Sequence, residues 1–338
     1  MLSIIEQVAP GTVHLLKQRF DILKQISQLS PVGRRVLAKE LGLSERILRS
    51  EIEVLKEQGL LSTSTSGMRL TASGQQAINQ LDTILDEQSN IEAMEVALAQ
   101  HLNIESCSIL KSDSPITLAQ MTVDIIDDLL PDGENRIAVM GGTTLRAVAE
   151  AFDKSLSVNR SLQFIPARGG TGEVASIQAN AVADLMAIRT HGSSRLLYAP
   201  DHVSSETHSL LMQEPEIKET LYYLSQSILA IFSIGEASRM AKRIGLSEEA
   251  IEQLLKSGAV AEAFGEFIDN EGQVVQKLAR VGLSSEDIHN IPYLVAIAGG
   301  KEKAQAIEAY FKVAPSHTYL VTDEAAANQI LNRDNPLK

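Results

Sequence analysis

The sequence lacks tryptophan, has only 4% aromatic residues and contains a single cysteine. That residue, Cys107, cannot form an intrachain disulfide, and the apolar stretch around it favours a buried, inert thiol over a nucleophile. No apolar run approaches the roughly 20 residues that cross a bilayer. The first 20 residues lack the basic and then apolar pattern of a secretion signal. We therefore expect a cytoplasmic protein with no membrane partner.

Sequence patterns that mark common catalytic and metal sites are also missing. There is no metal-ligand spacing of His, Cys, Asp or Glu, no Gly-x-Ser-x-Gly elbow and no Gly-x-x-x-x-Gly-Lys-Ser/Thr phosphate loop. The scattered histidines His191, His202, His208 and His317 are interpreted as surface or structural residues. We expect no catalytic residues, no metal and no cofactor.

The 338 residues are enough for two domains, and charge is divided unevenly between them. Residues 1–70 hold 10 Lys and Arg against 7 Asp and Glu, whereas residues 71–338 hold 20 against 36. Residues 1–70 therefore carry a net charge of +3 and residues 71–338 one of −16, which together give −13 for the chain. A cationic N-terminal module beside an acidic one remains compatible with a nucleic acid partner.

Residues 1–70 show the pattern of a winged helix-turn-helix domain. An amphipathic helix over 13–29 is broken by Pro31, and a second helix follows from Arg34 to Leu41. Ser44 is expected as the N-cap of a third helix that ends at Gly59. Apolar residues then flank a Ser/Thr/Gly stretch, which predicts a hairpin, the wing, over 60–70.

The third helix is expected to read double-stranded operator DNA. We expect Ile47, Leu48, Ile52 and Leu55 to face the core, so that the opposite face is polar. Arginines near a helix N-terminus can reach base edges or phosphates in the major groove, and the preceding helix can contact phosphates. A solvated face used for protein contacts is the alternative. The candidate DNA-binding residues are Arg34, Arg35, Lys39, Ser44, Glu45, Arg46, Arg49 and Ser50.

Residues 71–101 are expected to form helices that link the domains and associate with another copy, as a dimer or tetramer. The evidence is apolar residues at helical spacing, and a helix packed on its own domain is the alternative. They are Ile78, Leu81, Ile84, Leu85, Ile91, Met94, Val96 and Leu98.

Residues 102–338 alternate short β-rich runs with helical stretches, which predicts an α/β domain with a mainly parallel sheet. A hairpin is also expected over 265–275, around Asp269-Asn270-Glu271-Gly272. The predicted strands are Ser106–Leu110, Arg136–Met140, Gln163–Pro166, Arg195–Ala199, Ile228–Ile234, Leu294–Ala298 and Thr318–Thr322.

Three glycine-rich strand ends predict an anion site. They are Gly141-Gly142-Thr143-Thr144, Arg168-Gly169-Gly170-Thr171-Gly172 and Gly299-Gly300-Lys301-Glu302-Lys303. Backbone N–H groups at a helix start, with Arg or Lys beside them, can bind phosphate. In a parallel sheet all three lie at the carboxyl edge, where open α/β folds bind ligands. Each loop alone could be a structural turn. Glu236 and Glu262 near that edge could accept sugar hydroxyl protons or be surface acids.

The chain resembles the SorC-type, DeoR-related sugar-responsive regulators over nearly its whole length. The resemblance rests on Pro31-Val32-Gly33-Arg34-Arg35, Leu43-Ser44-Glu45-Arg46, Leu55-Lys56-Glu57-Gln58, Gly141-Gly142-Thr143-Thr144, Pro166-Ala167-Arg168-Gly169-Gly170, Gln178-Ala179-Asn180, Glu262-Ala263-Phe264-Gly265, Ala306-Ile307-Glu308-Ala309-Tyr310-Phe311 and Val321-Thr322-Asp323-Glu324.

The resemblance implies a repressor of a glycolytic operon, with an effector domain like that of sugar-phosphate isomerases and deaminases. It also implies fructose 1,6-bisphosphate as inducer, with other phosphosugars as weaker ligands. The effector-binding residues it implies, together with the strand-end loops, are Gly141, Gly142, Thr143, Thr144, Arg168, Gly169, Gly170, Gln178, Arg243, Glu262 and Lys303.

An enzyme with an appended DNA-binding module is the alternative function. A sugar-phosphate isomerase or deaminase needs a general base poised against a sugar carbon. Glu262 is the one tempting candidate, and the sequence places no acid or base partner near it. We therefore expect a regulator.

Overall fold

The computed structural model describes residues 8–112, 114, 116–170, 174–201 and 203–333, without the side chains of 83–89, 205 and 333. The chain divides into two compact units, Met1–Asn90 and Ile91–Lys338. Thr171, Gly172 and His202, and the side chains of Ile84 and Leu85, were named from the sequence and lie outside the described part.

The first unit is a winged helix-turn-helix, as the sequence predicts. Its helices are α1 (Thr12–Leu29), α2 (Arg34–Glu40) and α3 (Glu45–Glu57). Strands β1 (Leu61–Ser64) and β2 (Gly67–Leu70) pair antiparallel and form the wing.

Local chemistry sets both ends of α3. The Ser44 hydroxyl accepts a hydrogen bond from the Ile47 backbone N–H, which satisfies one of the orphan donors at the helix start. Gly59 follows the helix with φ +73°, a conformation that glycine adopts without strain. Leu48, Ile52 and Leu55 recur at helical spacing and are buried in the core of the unit.

One expectation for α3 is wrong, because Ile47 does not face the core. Its side chain is 47% exposed, whereas that of Leu48 is fully buried. Successive helix positions differ by about 100° of rotation at 3.6 residues per turn. The stripe of buried residues that contains Leu48 therefore does not include Ile47.

Helix α4 (Ala72–Leu102) follows the wing as one continuous element. Ile78 belongs to the core of the first unit and Leu98 to the core of the second. Val96 is 58% exposed. Self-association through residues 71–101 stays a prediction.

The second unit alternates strands with helices, as predicted. The remaining strands are β3 (Cys107–Leu110), β4 (Gly133–Val139), β5 (Arg160–Pro166), β6 (Ser193–Ser194), β7 (Leu229–Ser233), β8 (Gly235–Glu236), β9 (Ala259–Ala263), β10 (Glu266–Asp269), β11 (Val274–Lys277), β12 (Tyr293–Ile297) and β13 (Thr318–Asp323). The remaining α-helices are α5 (Leu118–Leu129), α6 (Thr143–Ala151), α7 (Ala179–Thr190), α8 (Ser205–Leu211), α9 (Pro215–Ser225), α10 (Ala237–Arg243), α11 (Glu248–Lys256), α12 (Ala304–Phe311) and α13 (Glu324–Arg333). Short 3-10 helices cover Lys154–Ser157, Ala175–Ile177, Asp287–Asn290 and Lys301–Lys303.

Seven of these strands form a parallel sheet in the order β3-β13-β12-β7-β4-β5-β6. Strands β7 and β12 and the last three residues of β4 are almost wholly apolar and buried, because helices cover both faces of such a sheet. From β4 the chain continues to β5 on one side, and from β7 it continues to β12 on the other. The crevice at the carboxyl ends of β4 and β7 is therefore the topological switch point of the fold.

Four shorter strands form an antiparallel sheet in the order β11-β10-β9-β8. The pairing of β10 with β11 confirms the hairpin predicted around residues 269–272. Strands β8 and β9 were not predicted. They bring Glu236 and Glu262 onto neighbouring strands, since Glu236 pairs with Ala261 and Gly235 with Glu262.

The predicted strand Arg195–Ala199 is wrong, because this segment is irregular and only Ser193–Ser194 pairs with β5. Its apolar pattern reflects burial of Leu197 and Ala199. The Asn180 side chain accepts from the Leu197 N–H at 3.0 Å and donates to the Leu197 carbonyl at 3.1 Å. One side-chain amide thus satisfies the backbone groups that a neighbouring strand would otherwise pair.

Among the described residues, no helix is both long and apolar enough to span a membrane.

Candidate functional site: a DNA-reading helix and an anion-binding cleft

The candidate DNA-binding side chains of the first unit are exposed, as a DNA-reading surface requires. Arg46, Arg49 and Ser50 lie on the outer faces of α3. Arg34, Arg35 and Lys39 are exposed on α2, and Arg35 Nε lies 3.7 Å from a carboxylate oxygen of the exposed Glu45. Ser44 is committed to capping α3. Ile47 adds an apolar group to the exposed surface near the start of α3.

The second unit contains a cleft at the carboxyl ends of β4, β5, β7 and β12. Two adjoining cavities of about 30 and 910 Å³ make up this cleft and share Ser233, Met240 and Arg243 as lining residues. Small-molecule pockets commonly measure roughly 300–1,000 Å³. The cleft is therefore large enough for a phosphorylated sugar.

The β4–α6 junction opens into both cavities. Gly141 lines the small cavity, and Gly142, Thr143 and Thr144 line the large one. The N–H groups in the first turn of an α-helix have no partner within the helix, and no side chain caps those of α6. These donors and the positive end of the helix dipole suit an anion.

Both glycines of this junction are required by geometry. A Cβ on Gly141 would lie 2.7 Å from the Ile177 carbonyl oxygen and 3.1 Å from Arg168 Nη2. Gly142 has φ +133°, which side chains rarely adopt, and a Cβ there would lie 3.5 Å from Arg243 Nη1. Arg168 and Arg243 therefore approach the same backbone turn.

Arg168 follows β5 and is 5% exposed, and its Nη1 lies 3.4 Å from Asp201 Oδ2. The next two residues do not line either cavity. The Gly169 and Gly170 N–H groups donate to the carbonyls of Val281 and Ala199 at 2.9 and 2.7 Å. In this structure these two glycines hold neighbouring loops together.

Gln178 is half-buried at the start of α7. It does not line the described cavities, and its Oε1 lies 3.3 Å from the position of a Cβ on Gly170. The side chain thus lies against the loop that carries Arg168.

The large cavity is lined by further cations. Lys303 lies in the third glycine-rich junction, and Arg239 and Arg243 come from α10. Burial lowers the pKa of Lys303 below its usual 10.5, and the positive charge of Arg239 lowers it further, although Glu236 opposes the shift. A bound phosphate would favour the charged lysine.

Glu262 is 8% exposed and lines the small cavity. Its Oε1 accepts a hydrogen bond from the Gly265 N–H at 2.8 Å and lies 3.7 Å from Arg280 Nη1. Arg280 also binds Asp201, with Nε 3.0 Å from Oδ1 and Nη2 3.2 Å from Oδ2. The cavity wall is therefore a buried network of two arginines and two carboxylates.

Sequence reasoning missed several residues of the cleft. Asp201 and Arg280 lie in irregular segments, where no periodic pattern marks them. Arg239 stands on α10 among other polar residues. Asp323, at the end of β13, accepts a hydrogen bond from the Gly300 N–H at 2.7 Å. Its position at a strand end and its place in one of the strings that carry the resemblance were the available signals.

Within the described ranges, no group of three or more His, Cys, Asp or Glu side chains could hold a metal ion. The cleft brings cationic side chains and the uncapped start of α6 together with buried carboxylates.

Two family models match the chain, one for each unit. Residues 15–85 match the CggR N-terminal DNA binding domain. Residues 86–332 match the Sugar-bind family, described as a sugar-binding domain.

Two curated relatives match over nearly their full length. The central glycolytic genes regulator of Bacillus subtilis (strain 168) is 39% identical over 98% of each chain. That of Priestia megaterium is 35% identical over 99% of this chain and 100% of the relative.

Solved structures agree with the fold. A SorC family transcriptional regulator from Enterococcus faecalis is 46% identical, with a TM-score of 0.66 over 71% of this chain and 99% of that one. The full-length sorbitol operon regulator SorC from Klebsiella pneumoniae is 19% identical, with a TM-score of 0.65 over 89% of this chain and 94% of that one. The second likeness concerns the fold alone.

Proposed function

Because this chain belongs to the family of SorC-type sugar-binding transcriptional regulators that includes the central glycolytic genes regulators, we propose that it represses glycolytic genes under the control of a phosphosugar. The first unit binds operator DNA in the cytoplasm. The second unit binds the effector, and fructose 1,6-bisphosphate is the ligand we propose.

The observation that carries this proposal is the gathering of anion-binding groups at the switch point of the sheet. The uncapped start of α6 faces the same cleft as Arg243 and Lys303, and Arg168 lies over the same turn. These groups come from segments far apart in the sequence, so only the folded domain unites them. Their common chemistry favours phosphate oxygens.

A sugar bisphosphate fits this arrangement better than a single phosphate does. Cations lie at both ends of the cleft, with Arg168 in the small cavity and Lys303 in the large one. Glu262 stands in the small cavity, where a carboxylate can accept hydrogen bonds from sugar hydroxyls. Monophosphorylated sugars would use one end alone and bind less tightly.

Control of DNA binding requires that the effector distinguish two arrangements of the protein. We propose that a dimer or tetramer presents paired winged helices to two operator half-sites, and that the bound phosphosugar favours an arrangement that no longer matches them. The ligand shifts this equilibrium only by its difference in affinity for the two states.

A regulator accounts for the cleft better than an enzyme does. Glu262, the candidate base, already receives the Gly265 N–H and lies beside the Arg280 guanidinium. Both interactions hold the Glu262 carboxylate in a fixed position. Steady turnover of a phosphosugar by the pure protein would instead support the isomerase or deaminase reading.

A thermal-shift panel tests the ligand. A molecule that binds the native state raises the melting temperature by mass action. We expect fructose 1,6-bisphosphate to raise it more than hexose monophosphates do, and inorganic phosphate to raise it least. A panel in which no phosphosugar exceeds inorganic phosphate would refute the effector.

Thr144→Val and Arg168→Gln test the separation of roles. Both residues lie in the second unit, so each variant should bind operator DNA as the wild type does. Each should no longer release that DNA when fructose 1,6-bisphosphate is added. Loss of operator binding by a folded variant would contradict the separation.

A further inference from the structure

We propose that Arg280 is a positioning residue of the effector site, which holds Arg168 and Glu262 at the spacing that a phosphosugar requires. The inference rests on the proposed function and adds to it a residue that acts through two others.

The Arg280 side chain is 8% exposed and bridges two buried carboxylates. Its Nε and Nη2 bind the two oxygens of Asp201 at 3.0 and 3.2 Å. Its Nη1 lies 3.7 Å from Glu262 Oε1. Asp201, which is 1% exposed, also lies 3.4 Å from Arg168 Nη1. The Arg280 guanidinium thus links Arg168, which we propose binds phosphate, to Glu262, which we propose accepts hydrogen bonds from sugar hydroxyls.

The backbone around Glu262 is shaped to admit this side chain. A Cβ on Gly265 would lie 2.1 Å from Arg280 Cδ, so only glycine leaves room for the arginine stem. Gly265 also has φ +79°, and its N–H donates to Glu262 Oε1 at 2.8 Å. The same glycine therefore orients the carboxylate and accommodates Arg280.

The segment that carries Arg280 is also tied to the segment that carries Arg168. The Gly169 N–H donates to the Val281 carbonyl at 2.9 Å, and the Leu283 N–H donates to the Ala167 carbonyl at 2.8 Å. These bonds flank Arg168 and lie one and three residues after Arg280 along the chain. Displacement of one segment would therefore displace the other.

Guanidinium geometry suits this role because its planar fork can satisfy two carboxylates at once, whereas an ammonium group is a single point charge. Opposite charges are required to keep such groups buried. A fixed network reduces the ordering cost of binding a ligand that uses both Arg168 and Glu262. Inorganic phosphate has no sugar hydroxyls, so its binding does not depend on the position of Glu262.

Calorimetry on the full chain separates this role from mere structural support. We would compare wild type, Arg280→Lys and Arg280→Met for affinity towards fructose 1,6-bisphosphate and inorganic phosphate, well below their melting temperatures. Arg280→Met should weaken bisphosphate binding by about tenfold or more, since coupling within one buried network commonly reaches that size. Arg280→Lys should lose part of the affinity. Phosphate binding should change less in both, so the ratio of the two affinities falls.

Arg195 provides the matched control, because its Nη2 forms an ion pair with Glu219 at 2.7 Å in the same unit but outside the cleft. Arg195→Lys and Arg195→Met should leave both affinities unchanged.

If folded Arg280→Lys keeps the wild-type ratio of bisphosphate affinity to phosphate affinity, the inference is overturned, even if the melting temperature of the variant falls. Should Arg280→Met not fold, Arg280→Lys alone decides the test. A wild type that binds no phosphosugar would refute the proposed function, and this inference with it. Binding by wild type and Arg280→Lys with equal affinity would refute the inference alone.

Discussion

Arg46 on α3 allows the DNA-reading role to be tested with a worked magnitude. The side chain is exposed near the start of the helix, so Arg46→Ala should change the free energy of unfolding by no more than about 0.5 kcal/mol. If Arg46 reads a base, its loss should cost about 1–3 kcal/mol of operator binding, which is roughly a 5- to 150-fold weaker affinity. The affinity for fructose 1,6-bisphosphate should stay the same, since Arg46 lies in the other unit.

Fluorescence anisotropy with a duplex selected by the protein from a random pool would measure the effect at several salt concentrations. A base contact should leave the salt dependence nearly unchanged and relax specificity at one position. A phosphate contact should lower the slope of log affinity against log salt by about 1 and weaken all sequences alike.

Lys56→Ala is the matched control, because it removes the same charge from the same helix. Lys56 is exposed in the last turn of α3, about 15 Å along the axis from Arg46 at 1.5 Å per residue. It should have much the smaller effect on operator affinity. Equal losses in both variants would refute a reading role for the start of α3 and would indicate a general charge effect.

Two further predictions follow from burial. Leu48→Ala should destabilise the first unit by about 2–5 kcal/mol because Leu48 is fully buried, whereas Ile47→Ala should cost far less because Ile47 is half-exposed. Chemical denaturation followed by circular dichroism would measure the free energy of unfolding of both variants. Equal losses would contradict the assigned faces of α3. Phosphosugar affinity should fall as pH rises through the pKa of Lys303, which burial places below 10.5, because deprotonation removes a positive charge from the cleft. Calorimetry across alkaline pH should find this dependence in wild type and not in Lys303→Met, and its persistence in the variant would exclude Lys303 as the cause.

The first unit was predictable in detail because its signals are local. Single residues mark the helix boundaries: Pro31 follows the end of α1, Ser44 caps the start of α3, and Gly59 follows its end. The position of Ile47 was not predictable to the same degree. Ile47 and Leu48 are adjacent apolar residues, and either one could lie on the buried face of α3. Only packing against the rest of the unit selects Leu48.

The cleft was predictable in its glycine-rich loops and not in its buried network. Gly141, Gly142 and Arg168 follow strands that their apolar runs reveal, and parallel strands must end at one edge. Gly169 and Gly170 carried the same sequence signal, yet their N–H groups bind other loops in the structure.

The amino-acid sequence alone determined the two-domain organisation, the helix-turn-helix with its wing, and the parallel sheet with glycine-rich strand ends. Each of these follows from hydrophobic periodicity and from the chemistry of residues close together in the chain. Tertiary structure decided which groups share the cleft. Arg280 meets Asp201 across 79 positions of the sequence, and Asp201 in turn meets Arg168. Asp201 and Arg280 lie in loops that have no regular pattern. Such contacts depend on how irregular segments pack over the sheet edge, and no local propensity encodes that packing.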